Sequence, residues 1–185
     1  MTPMPTTAVW RFAGVRRGGE RTRFVASDRG IRAVGVSRGI DADDGGPWRI
    51  RYDLRWDHRW LFRSAVVRSR DAVRRLIRDD NRGWIIDGEP RPEFADCVDL
   101  DLQVSLLTNT APAHRFAARH REQASAAVYL TSDLEVERLD QTYRRLPGAG
   151  LRFDYHAPRH GYRAVLRFDG DGLVADYPFI GRRKP

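Results

Sequence analysis

Hydrophobic and polar residues alternate along most of this chain, most clearly from residue 48 to residue 57. Five apolar side chains alternate there with arginine and aspartate: Trp48, Ile50, Tyr52, Leu54 and Trp56. A period of two is typical of a β-strand with one apolar and one polar face. Burial of each large side chain contributes about 2 kcal/mol. This face must therefore line either a core or a ligand cavity.

A second alternating stretch follows Cys97 and leads into a polar turn. Its apolar residues are Val98, Leu100, Leu102 and Val104, and its polar residues are Asp99, Asp101 and Gln103. The next segment, Thr108-Asn109-Thr110-Ala111-Pro112, carries short polar side chains that hydrogen-bond local backbone. Asp99 and Asp101, about 7 Å apart on one strand face, form either a candidate site or the solvated side of an ordinary strand. The pattern alone favours the solvated side.

Shorter alternating stretches bounded by turn residues fill the rest of the chain. They predict strands at 9–12, 22–26, 31–37, 60–69, 83–87, 126–131, 134–146, 151–156, 162–168 and 173–177. Turns are predicted at 16–19, at 28–30 and in the acidic, glycine-rich segment 41–47, which lacks calcium-ligand spacing. Ten or more short strands with little helix predict an all-β, single-domain antiparallel β-roll or open barrel spanning 1–185. Residues 1–8 and 183–185 are expected to be flexible tails.

The secondary structure of two segments stays open between helix and strand. In 71–80, Val73, Leu76 and Ile77 have helical spacing, but the segment is short and lies between predicted strands. Segment 113–127 is rich in alanine, arginine and glutamine, which favours a helix on propensity alone.

The chain carries 33 basic and 25 acidic residues, a net charge of +8. This excess permits attraction to nucleic acid, anionic lipid or a phosphorylated ligand. The arginines are scattered, however, and are interpreted mostly as the solvated side of strands. Rings and arginines at 48–56 fall on opposite strand faces, which argues against a stacking platform for single-stranded nucleic acid. No specific nucleic-acid partner is expected.

Several classes of protein are disfavoured by what the sequence lacks. Cys97 is the single cysteine and has acidic neighbours, which indicates a buried structural thiol rather than a disulfide, zinc ligand or nucleophile. No leader pattern and no apolar window of about 20 residues occurs, so a cytoplasmic location is expected. The five histidines, at 58, 114, 120, 156 and 160, lack metal-ligand spacing. Neither a metal nor a cofactor is expected, and no catalytic motif is present.

An ordered set of motifs resembles a bacterial family described as glycolipid-binding proteins of the β-roll type. The central match is Asp99-x-Asp101-Leu102 followed by Thr108-Asn109-Thr110-x-Pro112-x-x-Arg115. The flanking matches are Gly19-Glu20, the strand at 48–56, Trp60 with Arg63, Gly83-Trp84, Gln141 with Tyr143, and segments 169–174 and 176–178. The chain departs from the pattern at Leu106, where the family has proline, and at Ala113-His114, where it has a larger aliphatic residue and arginine.

The resemblance implies strands at 71–80 and after residue 113, with a turn near 120–123, and a lipid- or glycolipid-like ligand. In this interpretation Trp48, Tyr52, Trp56, Trp60 and Trp84 shelter acyl chains of an amphipathic molecule. Asp99, Asp101, Thr108 and Asn109 hydrogen-bond a sugar or headgroup, Arg63 pairs with an anionic group, and Gln141 and Tyr143 complete the site.

Two alternatives remain open. A solid core would use the same aromatic residues. A hydrolase acting on a carbohydrate or ester could use Asp99 and Asp101 as acid and base, because their expected separation overlaps the range of about 6.5–9.5 Å in inverting glycosidases. Any acidic strand face gives that separation, so the residues favour binding over catalysis. The oligomeric state stays open.

Overall fold

The computed structural model describes residues 5–42, 45–81 and 83–185, and these form one sheet of fifteen strands. The strands are β1 (Thr7–Phe12), β2 (Arg16–Ser27), β3 (Gly30–Asp41), β4 (Pro47–Trp56), β5 (Phe62–Arg68), β6 (Val73–Asp79), β7 (Gly83–Ile86), β8 (Glu89–Pro90), β9 (Asp99–Leu102), β10 (Gln123–Leu130), β11 (Val136–Arg145), β12 (Leu151–Ala157), β13 (Tyr162–Phe168), β14 (Val174–Tyr177) and β15 (Gly181–Arg183). One α-helix, α1 (Thr110–Phe116), and three single 3₁₀ turns, Pro92–Phe94, Leu107–Asn109 and Pro158–His160, complete the described structure. The predicted all-β antiparallel roll is confirmed, and the sheet is open.

The sheet has two arms that meet at the first and last strands. In the N-terminal arm, β1 to β8, each strand pairs with the next one along the chain. In the C-terminal arm, β9 to β15, neighbours in sequence also pair, and β15 pairs with β1 to join the arms. All pairs are antiparallel except β9 with β10. The arms are therefore two local meanders sharing one seam.

The sheet curls so that the far ends of the two arms touch without strand pairing. The indole Nε1 of Trp84 on β7 donates to the carbonyl of Cys97 at 2.8 Å, just before β9. The Nε of Arg74 on β6 donates to the carbonyl of Leu134 at 2.9 Å, just before β11. The inner faces of both arms thus enclose one core.

A segment of the chain passes through the interior of this roll. Residues 99–113 are buried except for Gln103, which is half-buried, and they include β9 and most of α1. Ser37 on β3 donates its hydroxyl hydrogen to the carbonyl of Val104, which ties the segment to the N-terminal arm. We call residues 98–116 the crossing segment. It fills the space that the curled sheet surrounds.

The structure corrects the prediction of a strand after residue 113. The chain forms α1 instead, in line with the helix propensity of this segment. Pro112 lies in the first helical turn, where a backbone N–H would have no intrahelical partner. The strand predicted at 71–80 is confirmed as β6.

The turn predicted at 16–19 is wrong, because these residues begin β2. Glycine is required there: a Cβ on Gly18, whose φ is +137°, would lie 2.1 Å from the carbonyl oxygen of Arg38 on β3. Three residues assigned to flexible tails belong to strands, namely Thr7 and Ala8 in β1 and Arg183 in β15. In the predicted turn at 41–47, Asp43 and Asp44 lie outside the described residues.

Two further observations concern the described part of the chain. Cys97 is buried, and burial raises the pKa of its thiol to about 11, as expected for a structural cysteine. No helix in residues 5–42, 45–81 or 83–185 is long and apolar enough to cross a membrane.

Candidate functional site

Glu20 on β2 anchors the crossing segment to the N-terminal arm. Its side chain is 1% exposed. The carboxylate accepts hydrogen bonds from the Tyr52 hydroxyl at 2.5 Å, the Ser105 hydroxyl at 2.5 Å and the Leu106 backbone N–H at 2.7 Å. Burial raises the pKa of Glu20, and the three donors oppose that shift by favouring the ionised form. Tyr52, from the alternating strand at 48–56, thus holds in place the carboxylate that binds the crossing segment.

Five of the predicted site residues meet inside the C-terminal arm. The Thr108 hydroxyl donates to Oδ1 of Asp101 at 2.5 Å, and Nε2 of Gln141 lies 3.4 Å from its Oδ2. The Tyr143 hydroxyl lies 2.8 Å from Oε1 of Gln141 and 2.9 Å from Oδ1 of Asn109. We call these residues the polar cluster. All five are buried.

The Tyr143 hydroxyl carries one hydrogen and faces two amide oxygens, so it can donate to only one of them. If Asn109 presents its amide nitrogen instead, Asn109 donates to Tyr143 and Tyr143 donates to Gln141. A continuous chain of donors then runs from Asn109 through Tyr143 and Gln141 to the carboxylate of Asp101. In either arrangement Thr108 and Gln141 donate to Asp101, so the polar cluster holds this carboxylate as a hydrogen-bond acceptor.

Asp99, the other carboxylate of the predicted pair, has a different environment. Nη1 of Arg115 on α1 lies 2.8 Å from its Oδ1, and Nη2 contacts its Oδ2. The Ser125 hydroxyl of β10 also donates to Oδ2. Both carboxylates are buried, Asp99 at 2% and Asp101 at 9% exposure. The solvated interpretation of this strand face is wrong, because β9 lies inside the roll.

A cleft of about 220 Å³ opens above the polar cluster in the C-terminal arm. Its lining includes four polar residues of the crossing segment, Asp101, Gln103, Ser105 and Asn109. Its remaining lining is Arg16, Leu102, Tyr129, Leu139, Tyr155, Ala157, His160, Tyr162, Tyr177 and Ile180. We call it the tyrosine cleft. It combines four tyrosine rings and an imidazole with a carboxylate, two amides and a guanidinium group.

Four tyrosines line one wall of the cleft, and three of them are in mutual ring contact. Ring centroids of Tyr155 and Tyr177 are 5.9 Å apart, those of Tyr162 and Tyr177 5.6 Å, and those of Tyr155 and Tyr162 6.2 Å. The ring of Tyr129 lies 5.3 Å from that of His160. Tilted and edge-on contacts of this kind hold aromatic rings in fixed orientations. The wall is therefore a preformed surface.

Burial sets the charge state of the cleft. It raises the pKa of Asp101 to about 6, with a smaller contribution from the negative charge of Asp99. It also raises the pKa of Tyr162 to about 12 and the pKa values of Tyr155 and Tyr177. Above pH 6 the cleft therefore holds one ionised carboxylate among neutral phenols, with Arg16 at its edge.

The residues predicted to shelter acyl chains lie in the packed core and do not line the tyrosine cleft; we call them the aromatic stripe: Trp48, Tyr52, Trp56, Trp60 and Trp84. Trp48 packs edge-on against Phe12, Trp56 against Trp60, and Trp84 is stacked on Phe62 at 4.9 Å. Trp60 is also stacked at 4.2 Å on His114, one of the positions that depart from the family pattern.

Arg63 lies apart from both the cleft and the stripe. Its guanidinium bridges Asp57 at 2.9 Å and Asp80 at 2.8 Å on the surface of the N-terminal arm. The structure thus brings together Asp101, Thr108, Asn109, Gln141 and Tyr143, with Asp99 behind them. It does not bring Arg63 or the tryptophans to the same place.

Sequence reasoning missed most of the cleft wall. Arg16 was assigned to a turn, and Tyr129, Tyr155, Tyr162 and Tyr177 occupy apolar positions of ordinary alternating strands. One signal was available. Five of the six tyrosines lie at or after residue 129, whereas all five tryptophans lie before residue 85. Tyrosine at an inward position brings a hydroxyl that needs a partner, so a concentration of them indicates a partly polar interior.

The fold and the cleft define an open β-roll protein whose interior segment presents a polar, aromatic-walled recess. This chain belongs to the protein family described as "Putative glycolipid-binding", which matches residues 7–183. Among the residues that the structure describes, no group of three or more histidine, cysteine, aspartate or glutamate side chains could hold a metal ion.

A solved structure supports the same assignment. The chain is similar to a DUF1089 family protein from Pseudomonas aeruginosa, with 32% sequence identity and a TM-score of 0.69. The likeness covers 86% of this chain and 89% of that one. A comparison with the curated proteins finds no match.

Proposed function

We propose that this protein binds the headgroup of a glycolipid non-covalently in the tyrosine cleft. The observation that carries the proposal is the fixed Asp101 carboxylate beneath a wall of four tyrosine rings. Sugar rings present hydroxyl groups at their edges and C–H groups on their faces. Asp101 and Asn109 can accept and donate hydrogen bonds to the hydroxyls, while the tyrosines pack against the C–H faces.

The size of the cleft limits what enters it. Its volume of about 220 Å³ is below the roughly 300–1,000 Å³ typical of sites for drug-sized ligands. A single sugar ring suits this volume better than a complete lipid. The acyl chains would then lie outside, along the apolar rim at Ile180 and beside Phe179, which is 76% exposed. The headgroup is therefore assigned to the tyrosine cleft, and the aromatic stripe belongs to the packed core.

Binding is favoured over hydrolysis by the separate environments of the two carboxylates. Asp101 lines the cleft, whereas Asp99 is held by Arg115 and Ser125. Hydrolysis of a glycoside ordinarily needs two carboxyl groups flanking the same bond. The raised pKa of Asp101 suits a general acid, so product analysis accompanies the binding test.

The test is a calorimetric or NMR titration of the protein with methyl glycosides, alkyl glycosides and free fatty acids. We expect alkyl glycosides to bind, and Asp101→Asn and Tyr177→Leu to weaken that binding at least tenfold, since a hydrogen bond to a charged group contributes about 1.5–3 kcal/mol. Asp154→Asn is the matched control. Asp154 precedes Tyr155 on β12 but points to the opposite face and pairs with Arg144 and Arg163.

Three outcomes contradict the proposal. Equally strong binding by Asp101→Asn and the wild type would show that the ligand binds outside the tyrosine cleft. Binding of fatty acids without any glycoside preference favours a simple lipid carrier. Release of free sugar, lost in Asp101→Asn, replaces binding by hydrolysis. Native mass spectrometry of the purified protein adds an independent check, because a bound glycolipid would appear as a mass increment that organic extraction removes.

A further inference from the structure

The outer face of the N-terminal arm carries a concentration of positive charge that the cleft does not use. Among the exposed arginines of β1 to β5, six lie together on the side of the sheet away from the core: Arg11, Arg21, Arg38, Arg49, Arg51 and Arg68. We call them the arginine face. Two surface grooves lie on it, one beside Arg11, Arg21, Arg38 and Lys184 and the other beside Arg49, Arg51, Arg68 and Arg70.

Strand register arranges these arginines in two rows. The first row runs across four strands as Arg11, Gly19, Arg38 and Arg49. The second runs across five strands as Val9, Arg21, Val36, Arg51 and Arg68. Neighbouring strands lie about 4.8 Å apart, and the rows are separated by two residues, about 7 Å. The six charges therefore occupy one continuous patch.

The patch lacks internal compensation. Within residues 5–42, 45–81 and 83–185, no carboxylate forms an ion pair with any of the six arginines. Other exposed arginines of the sheet do have acidic partners, as Arg32 has Asp53 in the N-terminal arm and Arg138 has Asp96 in the C-terminal arm. Like charges facing each other across strands destabilise a sheet. An external anionic surface would relieve that repulsion.

We propose that the arginine face docks on an anionic phospholipid surface. Arginine forms paired hydrogen bonds with phosphate oxygens, and clustered basic residues are attracted to anionic leaflets. Between and beside the arginines lie exposed aliphatic residues, including Val25, Val34 and Ile40, at 47%, 42% and 43% exposure. A broad patch of arginine and aliphatic side chains matches the phosphate and upper acyl region of a bilayer.

The same face lacks what nucleic acid recognition uses. The aromatic residues of β1 to β5 are all buried on the inner side: Trp10, Phe12, Phe24, Trp48, Tyr52, Trp56 and Phe62. Single strands are bound by stacking on exposed rings, and a duplex groove admits a protruding helix or ribbon. In the described part of these five strands the face offers neither. The anionic partner is therefore assigned to lipid.

The test is vesicle co-sedimentation with phosphatidylcholine alone and with phosphatidylcholine containing phosphatidylserine. We expect binding only to the mixed vesicles, and its loss between about 0.1 M and 1 M salt, where the screening length falls from about 10 Å to 3 Å. The triple variant Arg38→Glu, Arg49→Glu, Arg51→Glu should lower partitioning more than tenfold. The matched triple Arg119→Glu, Arg121→Glu, Arg167→Glu, at exposed C-terminal positions without ion pairs, should retain it.

Three results would contradict docking on an anionic phospholipid surface. Equal binding to both kinds of vesicle, or an equal loss in both triples, overturns the proposal. Tighter binding to single- or double-stranded DNA than to mixed vesicles at the same salt also overturns it. If the glutamate triple does not fold, as judged by circular dichroism, the corresponding glutamine triple replaces it and should lower partitioning at least fivefold. This inference depends on the outer face alone, so it and the glycolipid proposal can fail separately.

Discussion

The two arms of the sheet share one strand geometry but enclose different interiors. The N-terminal arm is filled by tryptophan and phenylalanine, with Trp10 and Trp84 each 1% exposed. The C-terminal arm carries tyrosine at inward positions and leaves the tyrosine cleft open. Their outer faces differ as well: the six neighbouring arginines of the arginine face form no ion pair within the described residues, whereas Arg138, Arg144 and Arg163 on the second arm are paired.

This difference shows how residue choice separates a packed interior from a binding interior in one fold. An indole ring has one donor and a large apolar area, so it fills space and needs a single acceptor. A phenol can donate and accept, which allows a chain such as Tyr143 to Gln141 to Asp101. Alternation alone predicts both arms equally well. The identity of the aromatic residue distinguishes them.

The largest expected loss of stability tests whether the interior of the N-terminal arm is fully packed. Trp84→Ala should lower the free energy of unfolding by about 3–5 kcal/mol, the usual range for truncating a buried aromatic residue. The variant removes the stacking on Phe62 and leaves the Cys97 carbonyl without its indole donor. Urea unfolding followed by circular dichroism measures the change. Tyr177→Ala, in the half-buried cleft wall, should cost less than half as much, and equal losses would contradict the contrast between the arms.

The next effect compares a buried ion pair with an exposed one. Arg115→Ala leaves the Asp99 carboxylate buried without its cation, and it should destabilise the protein by about 3–5 kcal/mol. Arg144 pairs with Asp154, and the Arg144 side chain is 49% exposed. Arg144→Ala should therefore lower the free energy of unfolding by less than about 1 kcal/mol. Thermal and urea unfolding of both variants give the comparison. Restored stability in the double variant Arg115→Ala, Asp99→Asn would identify the unpaired charge as the cause.

The pH dependence of stability tests the burial of Asp101. Burial raises its pKa from 3.8 to about 6. Between these values the folded state holds a proton that the unfolded state has lost, so Asp101 makes stability fall as pH rises from about 4 to 6. Asp101→Asn removes this contribution. Relative to wild type, the variant should gain up to about 3 kcal/mol across that window, at 1.36 kcal/mol per pKa unit, and then stay constant.

His114 provides the control of opposite sign. Burial lowers its pKa from 6.5 to about 4. The unfolded state then binds a proton that the folded state lacks, so His114 makes stability rise with pH across this window. His114→Phe, which keeps a ring against Trp60, should lose that rise. Urea unfolding at several pH values measures the free energy of unfolding of both variants. If Asp101→Asn and His114→Phe change its pH dependence in the same direction, the burial of one of these two groups is wrongly assigned.

The smallest effect concerns the outer faces. Arg49 lies directly opposite Arg38, and directly opposed like charges cost about 0.2–1 kcal/mol. Arg49→Glu should therefore raise stability slightly, whereas Arg163→Glu, which breaks the pairing with Asp154, should lower it. Differential scanning calorimetry at low and high salt would show both shifts shrinking as salt increases. Destabilisation by Arg49→Glu would mean that the arginine face is already compensated.

Much of the fold was predictable because period-two alternation sets strand faces directly. The alternation at 48–56 predicted β4, and the buried side is the predicted one. Two of the errors concern whether a segment forms a turn, a strand or a helix. Gly18 and Gly19 were interpreted as a turn, although glycine also permits the close approach of a neighbouring strand. The strand after residue 113 was implied by resemblance, against the helix propensity that the structure follows.

The candidate site was only partly predictable. Asp101, Thr108 and Asn109 are close in sequence, so their convergence follows from one strand and one turn. The tyrosines of the wall come from β10, β12, β13 and β14, and nothing local to each strand reports their meeting. Whether a polar strand face is exposed to solvent depends on which parts of the fold pack against it. Pattern alone carries no such information, which is why the inward position of Asp99 was missed.

The seam between β1 and β15 has a consequence for how the molecule assembles. It pairs Trp10 with Arg183 and Phe12 with Gly181, residues from opposite ends of the chain. Hairpins within each arm need only short loops to close, whereas this contact requires a closure of some 170 residues and is entropically slow. During synthesis the first meander must therefore wait, with one edge unpaired, until β15 emerges. A variant that weakens β15 would prolong that interval and promote aggregation through the open edge of β1.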